Sequence, residues 1–126
     1  MSRRSLLIVD DSLGIRSLLK ALFSSKGYIV HTSSTGLEAL ELAKKQLPDL
    51  IISDIKMPGI SGIELRERLL SANPDIKVIL MSAYADQQEM EELARHYKID
   101  YVLDKPFDLE HLSVVVDGLL NETILQ

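Results

Sequence analysis

The chain has 126 residues, 46% of them hydrophobic and 26% charged, with a net charge of −5 at neutral pH; this suits one soluble globular domain that buries roughly two thirds of its unfolded surface. The acidic balance argues against nonspecific nucleic-acid binding, and with no cysteine there can be no disulfide or thiolate metal site. No apolar run approaches the roughly 20 residues of a membrane span, and the run after Arg3 and Arg4 is too short for a secretory signal, so the expected location is cytoplasmic, away from the membrane.

The first element is "LLIV" (6–9), an aliphatic run that ends on the adjacent carboxylates of Asp10 and Asp11. Ile15, Leu18, Leu19 and Leu22 then recur at i, i+3, i+4, i+7, which predicts a helix with one buried face, stopped by Gly27. "YIVHT" (28–32) predicts the second strand, and Leu37, Leu40, Ala43 and Leu47 mark a helix closed by Pro48. "LIIS" (50–53) runs into Asp54 and precedes a helix marked by Ile63, Leu65, Leu69 and Leu70, with Asn73-Pro74 as its stop. "KVILMS" (77–82) ends on Ser82, and Met90, Leu93, Ala94 and Tyr97 mark the fourth helix. "DYVL" (100–103) leads to Lys105, after which Leu109, Leu112, Val116, Leu119 and Leu120 mark the fifth. No repeat, low-complexity tract or linker breaks this alternation.

Five strands alternating with five helices predict an α/β fold, a parallel sheet covered on both faces. Right-handed crossovers leave few topologies, and the flavodoxin-like strand order 2-1-3-4-5, a (βα)5 sandwich, is the common one at this length. Its binding crevice lies outside the carboxyl ends of the strands, where the sequence puts Asp10, Asp11, Asp54, Ser82 and Lys105. Taken singly, each has a plainer use: the aspartates and the serine as helix caps, the lysine as a solvated surface charge. Taken together they place three carboxylates, a hydroxyl and an ammonium around one crevice. Two like charges about 4 Å apart repel by about 4 kcal/mol at an effective dielectric near 20. Either one carboxyl pKa rises or a cation is bound. An all-oxygen ligand set favours Mg2+, with Mn2+ as the alternative. Mg2+ held this way also accepts a phosphate oxygen, and the lysine and hydroxyl suit the other phosphoryl oxygens, an arrangement fit for phosphoryl transfer.

Four motifs carry a resemblance: "VDD" (9–11), "SDIKMPGISG" (53–62), "MSAY" (81–84) and "DKPF" (104–107). Spaced over five βα units, they resemble the receiver (response-regulator) domains of two-component signalling along nearly the whole chain. The resemblance implies a single receiver domain over 1–126, with a core of about 4–121 and no output domain. It implies that Asp54 is the phosphoacceptor, that Asp10, Asp11 and Asp54 hold Mg2+ with the backbone carbonyl of Lys56, and that Ser82 and Lys105 receive the phosphoryl group. Asp54 is then a nucleophile toward a phosphohistidine on a sensor histidine kinase or histidine phosphotransfer protein. The new charge would draw in Ser82 and Lys105 and move the loop after strand 4, which holds Tyr84. A cis peptide is expected at Lys105-Pro106. In "DDSLGIRSLL" and "KPFD" the chain is also similar to the stand-alone receiver of the sporulation phosphorelay. A monomeric relay intermediate that is not an enzyme follows as the expected role. The alternatives are a CheY-like regulator that binds a target when phosphorylated, a haloacid-dehalogenase-type phosphatase, and a phosphate-independent scaffold. The phosphatases place a second Asp two residues after the nucleophile, where this chain has Lys56.

Two positions depart from the receiver pattern. Val102 stands where the switch aromatic usually lies, three residues before the lysine, and alternation points Tyr101 to the opposite face. Lys98 replaces the glycine that commonly ends helix 4. Elsewhere, His31, His96 and His111 have no ligand spacing, Met57 and Met81 suit loop and core packing, and Arg66, Glu67 and Arg68 are expected on a solvated helix face.

Overall fold

The computed structural model describes residues 3–83, 87–97, 99 and 101–121. Tyr84 and Lys98, and the side chains of Met90, Leu93 and Ala94, lie outside the described residues. Five strands, β1 (Ser5–Val9), β2 (Ile29–Ser33), β3 (Leu50–Asp54), β4 (Lys77–Ala83) and β5 (Tyr101–Lys105), alternate with five helices. The helices are α1 (Leu13–Ser25), α2 (Gly36–Lys45), α3 (Gly62–Ala72), α4 (Gln87–Tyr97) and α5 (Leu109–Asn121). All strand pairs are parallel, in the order β2-β1-β3-β4-β5, which is the expected flavodoxin-like topology. No helix among the described residues is long and apolar enough to cross a membrane.

Strand alternation sorts the core into two layers. Leu6, Ile8, Leu50, Ile52, Ile79, Met81 and Leu103 face α1 and α5, where Leu19, Phe23, Leu112 and Val116 close the layer. Leu7, Val9, Ile51, Val78 and Leu80 face Ala39 and Ala43 of α2 and Leu65 and Leu69 of α3. Continuous aliphatic strands are what a sheet buried on both sides requires. Three helices, α1, α2 and α3, start on hydroxyl caps: Ser12, Thr35 and Ser61 accept from the backbone N–H of Ile15, Glu38 and Glu64. For α2 and α3 the third helical residue is a glutamate, the sequence pattern of a capping box.

Three buried-face expectations are corrected. Leu18, Leu37 and Leu47 are 46%, 57% and 40% exposed. On α1 the inward stripe is Ile15, Leu19, Leu22 and Phe23, and Leu18 is turned off it toward solvent. The stripe on α2 is built from small residues, Gly36, Ala39 and Ala43, because the helix lies close to its neighbours: a Cβ on Gly36 would meet the Ile60 side chain at 2.4 Å. Leu47 falls beyond the end of α2. Arg66 is also corrected, being buried rather than solvated. It occupies the core stripe of α3 with Gly62, Leu65 and Leu69, and its Nη1 meets Glu67 Oε1 at 3.2 Å. Long aliphatic stems allow an arginine to fill such a position while its head stays paired.

Candidate functional site

Asp10 is the first residue beyond β1 and is completely buried. Its backbone N–H extends the sheet ladder by donating to Ser33 O at 3.1 Å. Its carboxylate turns back onto the chain, Oδ1 accepting from the Ser12 N–H at 2.8 Å. Asp11 is exposed beside it. Asp54 closes β3, with its side chain 15% exposed at the floor of a crevice of about 250 Å3 that Asp11, Lys56, Ser82 and Lys105 also line.

Lys105 is the last residue of β5. The ammonium passes over β4 and β3 to donate to Asp10 Oδ2 at 2.8 Å, and to Asp54 Oδ2 at 3.2 Å. Ser82 is buried, and its hydroxyl donates to the Ala83 carbonyl at 3.0 Å rather than into the crevice. Lys56 is exposed at the rim. The Lys105-Pro106 peptide is cis, as expected. Val102 packs with the α2–α3 layer, while Tyr101 packs with the α1–α5 layer and its hydroxyl meets His111 Nε2 at 3.0 Å. The expected opposition of these two residues therefore holds.

Carboxylate oxygens of Asp10, Asp11 and Asp54 all lie within 4.8 Å of one another. A hard divalent cation fits that donor set. Burial pushes the Asp54 carboxyl above the ordinary carboxylate range; Lys105 opposes this, and the charges of Asp10 and Asp11 add to it. For Lys105, burial works against the ammonium, but its bond to Asp10 and the charges of Asp10 and Asp54 raise its pKa overall. The carboxylates thus crowd negative charge around the Lys105 ammonium.

Two supporting residues escaped the sequence reading. Arg16, in the second turn of α1, donates from Nη1 to the Asp10 carbonyl at 2.7 Å. Gly62 opens α3 directly behind Asp54: a Cβ there would meet the Asp54 carbonyl oxygen at 2.4 Å. A glycine next to the helix cap Ser61 was a readable sign of close approach. The arginine, six residues from its partner, left no periodic signal.

Comparison with known proteins agrees with this geometry. Residues 6–117 match the family described as response regulator receiver domain. The chain is 37% identical over 120 residues to sporulation initiation phosphotransferase F of Bacillus subtilis (strain 168), covering 95% of this chain and 96% of that protein. It is 37% identical over 115 residues to regulatory protein AtoC of Escherichia coli (strain K12), covering 91% of this chain but 25% of that protein. Among solved structures, response regulator protein TrrA from Thermotoga maritima, in complex with Mg(2+)-BeF, superposes with a TM-score of 0.78. That pair is 35% identical, and the match covers 92% of this chain and 98% of that one. The chain belongs to the response regulator receiver domain family.

Proposed function

We propose that this receiver takes a phosphoryl group from a phosphohistidine partner onto Asp54 and passes it to a separate protein, as a phosphorelay intermediate. The observation that carries this reading is the placement of Asp54: a half-buried carboxylate on the crevice floor, with Asp10, Asp11 and the Lys105 ammonium around it. Receiver domains are signalling proteins rather than catalysts of a metabolic reaction, and they bind Mg2+ at an acidic pocket of this kind. Asp10, Asp11 and Asp54, with the Lys56 carbonyl at the rim, are the residues that would hold it. When bound, Mg2+ neutralises charge on the approaching phosphoryl oxygens.

The remaining work falls to the chain. An Asp54 carboxylate oxygen forms the new bond to phosphorus as the phosphorus–nitrogen bond breaks, and the electron pair returns to the partner's imidazole. The acyl phosphate carries close to two negative charges. It draws the Lys105 ammonium away from Asp10, and the Ser82 hydroxyl away from the Ala83 carbonyl. Relay to a second protein is supported by the match to sporulation initiation phosphotransferase F along 96% of its length. Lys56 supports it too, since that position two residues after Asp54 offers no further carboxylate to activate water. A target-binding regulator is the second reading, favoured by the match to AtoC, in which the same stretch is a quarter of a longer protein.

Incubation with acetyl phosphate and Mg2+, followed by intact-mass analysis, tests the acceptor. One added phosphoryl group is expected on the wild type and none on Asp54→Ala; equal labelling, or labelling in excess EDTA, refutes it. For the relay, the phosphorylated protein is mixed with histidine phosphotransfer proteins from the same cell. Failure of all to accept the group, while a target binds only the phosphorylated form, favours the second reading.

A further inference from the structure

Every polar group of Asp10 has a partner. Its N–H donates to the Ser33 carbonyl, Oδ1 accepts from the Ser12 N–H, and Oδ2 accepts from the Lys105 ammonium. Its carbonyl accepts from Arg16 Nη1 at 2.7 Å, the shortest of the four bonds. These ties would not meet a bound cation equally. A divalent cation held among Asp10, Asp11 and Asp54 would compete with the Lys105 ammonium for their negative charge, so the Lys105 tie is the one it would weaken. Of those left, the Ser33 and Ser12 bonds involve neutral backbone N–H donors, and Ser12 is only two residues along the chain. Arg16 supplies the one cationic donor among them, and it grips the Asp10 backbone rather than its carboxylate, from the half-buried second turn of α1.

We propose that Arg16 is a positioning residue for cation binding: by holding the Asp10 carbonyl from α1, it keeps the buried Asp10 carboxylate in place when Lys105 gives way to the metal. This rests on the reading of Asp10, Asp11 and Asp54 as the cation site. Charge and position predict opposite signs here. Removing a guanidinium bonded to the Asp10 carbonyl makes the surroundings of the pocket more negative, which by charge alone tightens cation binding. Loss of the clamp lets Asp10 shift and weakens it. Outer partners of metal ligands usually govern affinity by about 10–100-fold, so the positional effect is expected to win.

Mn2+ affinity of the unphosphorylated protein, read by calorimetry and by the paramagnetic resonance of free Mn2+, decides between them. Arg16→Ala is expected to bind Mn2+ about 10-fold more weakly than the wild type. Arg16→Lys, which keeps one charged donor, is expected to recover part of that loss. Lys20→Ala removes an exposed cation from the same helix without touching Asp10, and is expected to leave the affinity unchanged or slightly tighter. Equal or tighter binding in Arg16→Ala overturns the inference, as does equal weakening in Arg16→Lys or in Lys20→Ala. If Arg16→Ala does not fold, Arg16→Gln takes its place: weaker binding than Arg16→Lys supports the clamp, and wild-type affinity in both overturns it. A wild type that binds no Mn2+ overturns the cation site itself, and the inference with it.

Discussion

Gly62→Ala tests how closely α3 is pressed against the end of β3. The added Cβ would sit 2.4 Å from the Asp54 carbonyl oxygen, 3.0 Å from Ile55 Cα and 3.1 Å from the Asp54 carbonyl carbon. All three are backbone atoms, so no side chain can rotate away. Relief requires the start of α3 to move off β3, which strains the 2.8 Å bond from Gly62 N–H to the Ile55 carbonyl. Overpacking of this kind costs about 1–3 kcal/mol, and a weakened hydrogen bond about 1 more, so the expected loss is about 2–4 kcal/mol. A chain of 126 residues has an unfolding entropy of about 0.26 kcal/mol/K, which puts the fall in Tm at about 8–15 °C. Circular dichroism melts measure it directly. The strain also falls on the backbone of the proposed phosphoacceptor, so labelling by acetyl phosphate is expected to slow. Gly118→Ala is the counterpart: a Cβ there meets nothing within 4 Å, and alanine is the better helix former. It is expected to raise Tm by about 2–4 °C. A Gly62→Ala midpoint within about 2 °C of the wild type would refute the packing argument.

Tyr28 is pushed up to about 12 by burial and by its bond to the Asp117 carboxylate. Its raised folded-state pKa means this contribution is complete below the ordinary value of 10.0 and is lost as pH climbs toward about 12. Tyr28→Phe is expected to cost about 1 kcal/mol at neutral pH and to show a shallower fall of Tm above pH 10 than the wild type; parallel Tm–pH curves would refute this. Lys105→Ala leaves the buried Asp10 carboxylate without its ammonium, which is expected to cost about 2–3 kcal/mol in EDTA, discounted for the partial exposure of the lysine. Excess Mg2+ is expected to restore most of that in urea titrations, and an equal deficit with and without Mg2+ refutes it.

The strand order and the two-layer core were legible because uninterrupted aliphatic runs admit few arrangements. Strand ends were less so. The apolar pattern stops at Ser53, Ser82 and Leu103, yet pairing continues through Asp54↔Met81, Ser82↔Asp104 and Ala83↔Lys105. Backbone pairing does not depend on side-chain polarity, and so Asp54, Ser82 and Lys105 sit on the rigid sheet itself, while Asp10 and Asp11 follow its carboxyl edge. Helix faces were overread wherever leucine alone defined them. Leu37 is exposed while Gly36 and Ala39 are buried, because close approach selects small residues that hydropathy ranks low. Arg66 was misplaced for the converse reason: its charge hid an aliphatic stem in register with Leu65 and Leu69. The partners of Asp10 were beyond reach, since neither the ammonium from β5 nor the guanidinium from α1 follows from local spacing.

The attachments of α5 give that helix a fixed end and a driven end. Toward its C-terminus, Asp117 is fastened to the ammonium of Lys26 and the hydroxyl of Tyr28, and Lys26 also reaches Ser113. Burial pushes the Asp117 carboxyl up, but the bonds from Lys26 and Tyr28 outweigh it and hold the group ionised below its usual range. The N-terminus of the helix follows the Lys105-Pro106 turn by a few residues and is tied to β5 through His111 and Tyr101. A pull on Lys105 therefore enters α5 at one end while the other is riveted. Under such a pull the helix would act as a lever with its fulcrum near Asp117: a short stroke at the crevice would become a tilt across the face bearing the exposed Val114, and loosening the fulcrum, not the crevice, is the change that would turn that tilt into a slide.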